Sequence, residues 1–459
     1  MRKTLIRLAT AAVLALAAIV PVGATGLALT PEQMIQVAGR AVAQQRPHAA
    51  LALTDALLAQ GHETFQLWLI RSRALRDIGR PDAARTAADH AWTLAQDARQ
   101  KFTSAVIMAQ ALSSDGKRTP AQVWLRRAAQ YADTPQQIAL LRRDFGYVKA
   151  RNPWRMELSF GATPSSNING GSAEDQLTLF GLPFELSPSA QALSGFQAYS
   201  SGKLSYRLAE SAKTRTWIGV EGYTRESWLS AASRTAVDGA VASGDYDYTS
   251  TAMTVLHERK LAKPGQKMTF TGKLGRNWYG GDHLSDFASL GMTLALPLQN
   301  RARIKLATRL DFQLDAPNDA GGARDTEWVA EATASLFRPT KAGNAWDLGL
   351  DLRSAFSNDA TREYREARVG ATWLRGQPLF GANVSLGIEL GQRDYDVSYY
   401  RANGRHDTML SGQVQARFPD LSQFGFSPTV TLEHSTTRSN IELYSSDRTN
   451  LSLGFVSDF

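Results

Sequence analysis

The chain of 459 residues contains no cysteine. Disulfides, thiolate zinc sites and cysteine nucleophiles are therefore excluded, as is anchoring of a mature N-terminus through a lipidated cysteine. Long apolar runs are also missing: beyond Val20 nothing approaches the ~20 continuous apolar residues that a membrane helix requires. Catalytic signatures are absent as well. The histidines His48, His62, His90, His257, His283, His406 and His434 form no HExxH or comparable zinc spacing, and neither a GxSxG elbow nor a Walker-type phosphate loop occurs. Asp282-His283 and His406-Asp407 come nearest to an acid/base pair, but adjacent strand residues point to opposite faces. Asp245 and Asp247, like Asp394 and Asp396, share a strand face; calcium wants ~6–8 oxygens, so both pairs read as rim charges. No enzyme is expected, and no metal or cofactor.

Charge is in modest excess. The chain carries 51 Lys+Arg against 43 Asp+Glu, a formal +8, spread along its length without the basic patch that nucleic acid would demand. That balance suits outer-membrane lipid and lipopolysaccharide as neighbours. At the N-terminus, Arg2, Lys3 and Arg7 precede the apolar stretch Leu8 to Val20, and Val22-Gly23-Ala24 offers small residues for cleavage. These features predict a secretory signal peptide over residues 1–24. The protein is expected to leave the cytoplasm, and any membrane crossing must use strands.

Residues 29–150 read as a helical domain. The segment is rich in Ala, Leu, Gln and Arg, and Thr30-Pro31-Glu32 combines a cap, a first-turn proline and a first-turn acid. Helices are expected near 31–45, 47–60, 64–78, 81–95, 97–113, 119–131 and 135–149. The turn at Gly79-Arg80-Pro81 returns in altered form at Gly116-Lys117-Arg118, a spacing close to the tetratricopeptide period. Stacked helix pairs of that kind form a solenoid with a concave groove. Trp68, Trp92, Trp124 and Tyr131 read as inter-helix packing. Arg71, Arg73, Arg76 and Arg80 either line a basic groove for a client or keep a helix face solvated.

At Ala150-Arg151-Asn152-Pro153-Trp154 the period changes to two. Proline expels the preceding residue from helical geometry, and fourteen alternating segments follow, from 154–163 to 446–459. Leu290/Met292/Leu294/Leu296, Trp346/Leu348/Leu350/Leu352 and Val384/Leu386/Ile388/Leu390 are the clearest. Strands of this length, with turns alternately short and long, predict a transmembrane barrel. Leu451, Leu453, Phe455 and Phe459 mark the strand that closes it, ending in the aromatic residue that resembles outer-membrane barrels read by the barrel assembly machinery. Trp217, Phe337, Trp346, Trp373 and Phe424 are expected in one aromatic girdle, and Trp228, Trp278, Tyr279, Phe312 and Trp328 in the other. Arg303, Lys305, Arg309, Asp311, Arg368, Glu389 and Arg393 are expected to face the lumen. The fold class is thus α + β multidomain: an all-α tetratricopeptide-like solenoid, then a 14-stranded antiparallel β-barrel over 154–459.

Three short motifs fall at its start: Arg151-Asn152-Pro153-Trp154, Asn167-Ile168-Asn169, and Gly181-Leu182-Pro183-Phe184-Glu185-Leu186-Ser187 followed by Ser194-Gly195. Their order, with the helical segment before them, resembles the surface lipoprotein assembly modulator (Slam) family. Asn167, Asn169, Pro183 and Phe184 match that family's first-loop elements, while Ser165-Ser166 stand where an acidic residue is expected. The resemblance implies an outer-membrane translocator whose periplasmic repeats meet a client lipoprotein or secreted haem-binding protein, and whose barrel assists its passage. It implies no catalytic residue and no cofactor. A diffusion porin with a periplasmic adaptor, and an exopolysaccharide export barrel, are the alternatives.

Overall fold

The computed structural model describes residues 29–179, 181–317, 324–423 and 426–457. The expected signal peptide, Phe424 and Phe459 therefore lie outside the described residues. The chain forms two compact units, one ending at Gln96 and one beginning at Asp97.

In the first unit, α1 (Pro31–Ala43), α2 (Pro47–Ala59), α3 (Phe65–Asp77) and α4 (Pro81–Leu94) pack successively. Each begins where the sequence offers a start. Thr30 caps α1 in a reciprocal box with Gln33, Thr64 caps α3, and prolines open α1, α2 and α4. After α3, Gly79 takes φ +77°, a left-handed turn that a side chain resists, and Arg80 N donates back to Leu75 O at 2.9 Å. The contact surface is built from small residues: Ala38, Ala50 and Ala74 are completely enclosed and let the helices approach closely. Trp68 of α3 stacks on His90 of α4 with ring centres 4.2 Å apart, which places it in helix packing as its spacing predicts.

The second unit opens with α5 (Ala98–Ser114), α6 (Arg118–Ala129) and α7 (Pro135–Arg151), again packed in order, with Asp97 and Thr134 as caps. Strand β1 (Trp154–Ser165) follows. The first long connection holds a two-stranded hairpin, β2 (Gln176–Leu179) and β3 (Leu182–Glu185). Then come β4 (Gly195–Glu210), β5 (Thr214–Leu229), a short helix α8 (Ala231–Val237), β6 (Tyr248–Lys260), β7 (Lys267–Tyr279), β8 (Asp282–Pro297) and β9 (Arg303–Asp315). The series ends with β10 (Thr326–Pro339), β11 (Ala345–Ser357), β12 (Tyr364–Leu374), β13 (Asn383–Tyr395), β14 (Arg405–Arg417), β15 (Phe426–Ser439) and β16 (Ser446–Ser457). Leaving out the hairpin, 14 strands close into one antiparallel barrel, with β1 between β4 and β16.

Alternation decides what each face shows. Met253, Leu274, Leu290, Ile388 and Leu453 are exposed on the outer wall, whereas the intervening residues carry the charges and amides of the lumen. An apolar outside around a polar inside inverts a soluble protein, and it fits a cylinder surrounded by lipid. Aromatic pairs sit at both ends of that wall. Trp154 meets Tyr206 at 4.9 Å and Trp346 lies opposite Trp373 at the helix-bearing end; Phe196 meets Trp228 at 5.9 Å and Phe312 meets Trp328 at 4.6 Å at the other.

Two expected girdle members turn inward instead. Trp217 is only 3% exposed and lies 4.1 Å beneath the Arg155 guanidinium, because Ile218 and Val220 hold the outer positions of β5. Phe337 lies beneath Arg303 at 4.4 Å, since Leu336 occupies the outer position.

Candidate functional site

Three parts of the barrel unit concentrate polar chemistry: the junction with α7, the lumen wall, and the first long loop. At the junction, Asn152 is almost fully enclosed. Its Nδ2 donates to Thr119 Oγ1 at 3.0 Å and Gln122 Oε1 at 3.3 Å, while its Oδ1 accepts from Trp154 N at 3.1 Å. Arg207 on β4 donates to the last carbonyls of α7, Ala150 O at 2.8 Å and Arg151 O at 3.1 Å. A cation at a helix C-terminus satisfies orphan acceptors and meets the negative end of the dipole. The Arg151-Asn152-Pro153-Trp154 motif is thus a bracket holding α6 and α7 against the barrel rim. Arg126 of α6 completes it, 5.6 Å from the Phe145 ring and 5.5 Å from that of Phe426, and burial lowers its pKa below the usual arginine value.

Within the lumen, charges alternate around the wall. Arg309 donates to Asp311 and to Glu331, both at 2.7 Å; Arg353 reaches Glu331 at 3.1 Å and Glu366 at 3.8 Å. Arg368 joins Glu366 at 2.6 Å to Glu389 at 3.0 Å, and Arg393 donates to the other oxygen of Glu366. The Glu366 side chain has no exposure. Four guanidiniums balance four carboxylates along this ladder, so the surface is strongly polar but favours neither sign. On β4 to β7, Glu221 stands between Lys203 at 3.5 Å and Lys273 at 2.5 Å. The expected lumen residues thus lie on the inner face, but sequence reasoning missed Glu331, Arg353 and Glu366, which tie them together.

His406 and Asp407 take different partners on opposite faces of β14. Asp407 pairs with Arg405 at 2.6 Å, while His406 turns to the opposite face and meets Asp394 at 2.7 Å. Asp245 caps its own turn through Ala242 N at 2.8 Å, and Asp247 accepts from Ser227 N at 2.7 Å.

In the first loop, Asn167 and Asn169 act as backbone surrogates. Asn167 bonds both ways with Gly171, at 2.9 Å each. Asn169 Nδ2 donates to Ser189 O at 3.0 Å and Gln191 O at 2.8 Å, and its Oδ1 accepts from Leu193 N at 2.9 Å. Ile168 between them enters an apolar cluster with Leu193, Leu229, Val237 and Tyr246. Ser165 accepts locally from Asn167 N at 3.3 Å, and Ser166 accepts from Thr449 N of β16 at 2.8 Å. Pro183 and Phe184 lie on β3, and both are exposed.

The family model of the surface lipoprotein assembly modifier matches residues 154–459. The chain belongs to this family. Membership and the closed 14-strand barrel together place it in the outer membrane. No curated protein matches the chain. Among solved structures, a BenF-like porin from Pseudomonas fluorescens is similar at 9% identity, over 66% of this chain and 98% of that one, with TM-score 0.37. OpdK from Pseudomonas aeruginosa is similar at 10% identity, over 66% and 98%, with TM-score 0.35. The type III secretion translocator chaperone SycD from Yersinia enterocolitica is similar at 20% identity, over 26% and 81%, with TM-score 0.23.

In this family member the four arginines offered as a client groove differ in partners and exposure. Arg71 donates to Asp55 and, at 3.2 Å, to Thr54 of α2, and so fastens α2 to α3. Arg76 donates to the neighbouring Asp77 at 2.9 Å. Arg73 and Arg80 are exposed.

The loop staple yields a prediction. A Cβ on Gly171 would stand 2.2 Å from Gln191 O, so Gly171→Ala must push the two segments apart. Overpacking of this kind costs ~1–3 kcal/mol. The expected result in proteoliposomes is faster protease cleavage within 176–189, by roughly tenfold, since ~1.4 kcal/mol is a factor of ten; an unchanged rate contradicts the staple.

Proposed function

We propose that this protein helps lipidated client proteins cross the outer membrane to the cell surface. The α-helical repeats face the periplasm and engage the client, and the barrel assists its passage. The observation carrying this reading is the bracket at Asn152 and Arg207, which holds helices against the rim of a family barrel; free diffusion of solutes has no use for it. The charge-balanced ladder adds support. A lumen that pairs its own arginines and carboxylates offers hydrogen bonds to a passing backbone without binding charge of one sign tightly. The exposed Arg73 and Arg80, with Arg76, are the positions we assign to client contact on the helices. Asn167 and Asn169 organise the outer loop, and Pro183 and Phe184 are its exposed apolar contacts.

The test is surface labelling of a co-expressed lipoprotein in cells with and without this protein. Display is expected to fall to background in its absence while total lipoprotein stays constant. Equal display in both strains ends the reading. Steady ion conductance of the purified barrel in planar bilayers, with no effect on display, supports a diffusion porin instead.

A further inference from the structure

Not every arginine of the inner wall meets a carboxylate as those of the ladder do. On β5 the exposed Ile218, Val220 and Trp228 hold the outer positions, so the alternate residues Tyr223 and Arg225 face the lumen. Register sets Arg225 directly opposite Tyr199 of β4 on one side and Tyr248 of β6 on the other. The three tyrosines make a continuous aromatic surface around it. Tyr199 and Tyr223 stack with ring centres 6.5 Å apart, and Tyr223 approaches Tyr248 to 6.0 Å. The Arg225 guanidinium lies 5.9 Å from the centre of the Tyr248 ring.

Arg309, Arg353, Arg368 and Arg393 each pair with an acid. Arg225 makes no ion pair among the described residues, and its Nε is enclosed without a hydrogen-bond partner among them. The acids around it are engaged elsewhere. Glu221, four residues along β5, lies between Lys203 and Lys273, and Glu226 turns to the other face of the strand. Asp245 and Asp247 accept from the backbone of Ala242 and Ser227. Tyr248 directs its hydroxyl to Asn277 Oδ1 at 3.0 Å and so presents its ring to Arg225. The hydroxyls of Tyr199 and Tyr223 have no hydrogen-bond partner among the described residues.

A buried donor that lacks an acceptor is costly, which makes such a group informative. A guanidinium offers a planar fork of N–H groups matched to the two oxygens of a carboxylate, and rings that exclude water strengthen the pair. One cation suits a singly charged group; a phosphate, with about two charges, calls for more than Arg225 supplies. We infer that Arg225, with Tyr199, Tyr223 and Tyr248, is a carboxylate-binding site on the lumen wall. The carboxylate is carried either by an acidic side chain of a polypeptide in the lumen or by a small free acid. The site stands whether or not the chain exports a client.

The test uses the full-length protein in lipid nanodiscs. The probes are a capped Gly-Glu repeat peptide with a neutral dye, the matching Gly-Gln peptide, and acetate. Fluorescence anisotropy is expected to show the Glu peptide bound at least ~tenfold more tightly than the Gln peptide, the scale of one charge-assisted contact. Arg225→Gln is expected to bring the Glu peptide down to the Gln level, and Arg225→Lys to keep part of the preference. Arg438→Gln, which removes a guanidinium paired with Asp447, is expected to leave it unchanged. Retained heat-modifiable mobility on gels shows that the variants are folded. Acetate, followed by calorimetry, separates the two sources. Acetate binding lost in Arg225→Gln while the two peptides bind alike assigns the site to small free acids. A Glu preference that a large excess of acetate does not displace assigns it to polypeptide. If Arg225→Gln binds both the Glu peptide and acetate as the parent does, including no binding by either protein, the site is overturned.

Discussion

Ile388→Arg is expected to destabilise the folded barrel by about 2–4 kcal/mol, the usual cost of an arginine on the lipid face near the bilayer midplane. Ser411→Arg, across the same strand pair, is expected to change stability by less than ~1 kcal/mol. The contrast comes from register. Ile388 lies opposite Gly412, is 59% exposed, and projects outward with Leu386 and Leu390; Ser411 lies opposite Glu389 on the inner face, where an added guanidinium finds a carboxylate. Equilibrium urea unfolding in lipid vesicles, followed by tryptophan fluorescence, measures both. Two equal effects would mean that the exposed apolar wall does not face hydrocarbon, and the membrane reading of the fold would fail.

Glu366→Ala is expected to cost about 3 kcal/mol in the same assay. The carboxylate is fully enclosed and lies among Arg353, Arg368 and Arg393, so its loss leaves three mutually repelling cations on adjacent strands. Breaking a buried ion pair from one side typically costs ~3–5 kcal/mol, and partial exposure of the arginines to the lumen places the expectation at the lower end. Glu366→Gln retains the shape and the acceptor oxygen, and should lose less. If alanine and glutamine variants unfold at the same urea concentration as the parent, the ladder has no mechanical role and serves only as lining.

Much of this architecture can be read from the sequence because two periods are written plainly in it. Caps such as Thr30 and Thr134 announce helices, and runs such as Val384/Leu386/Ile388/Leu390 declare both a strand and its lipid face. What escaped depends on partners far along the chain. Glu366 is unremarkable by itself and becomes the centre of a cluster only when β11, β12 and β13 are in register. Arg71 looks free until helix packing brings Asp55 beside it. Trp217 and Phe337 look like girdle residues because they are aromatics near strand ends, but Ile218 and Leu336 beside them take the outer positions and turn them inward. The hairpin of β2 and β3 lies inside a segment read only as loop, although Leu177 and Phe184 pair across Gly181.

The bracket at the base of β1 has a mechanical corollary. Arg207 grips α7 from β4, and Asn152 grips α6 from the residue pair that leads into β1, so any tilt of these helices is delivered to the two strands flanking one edge of the cylinder. On the other side of β1, Arg126 of α6 rests 5.5 Å from the Phe426 ring at the start of β15. Load applied to the helices therefore arrives at one sector of the circumference, from β4 through β1 to β15.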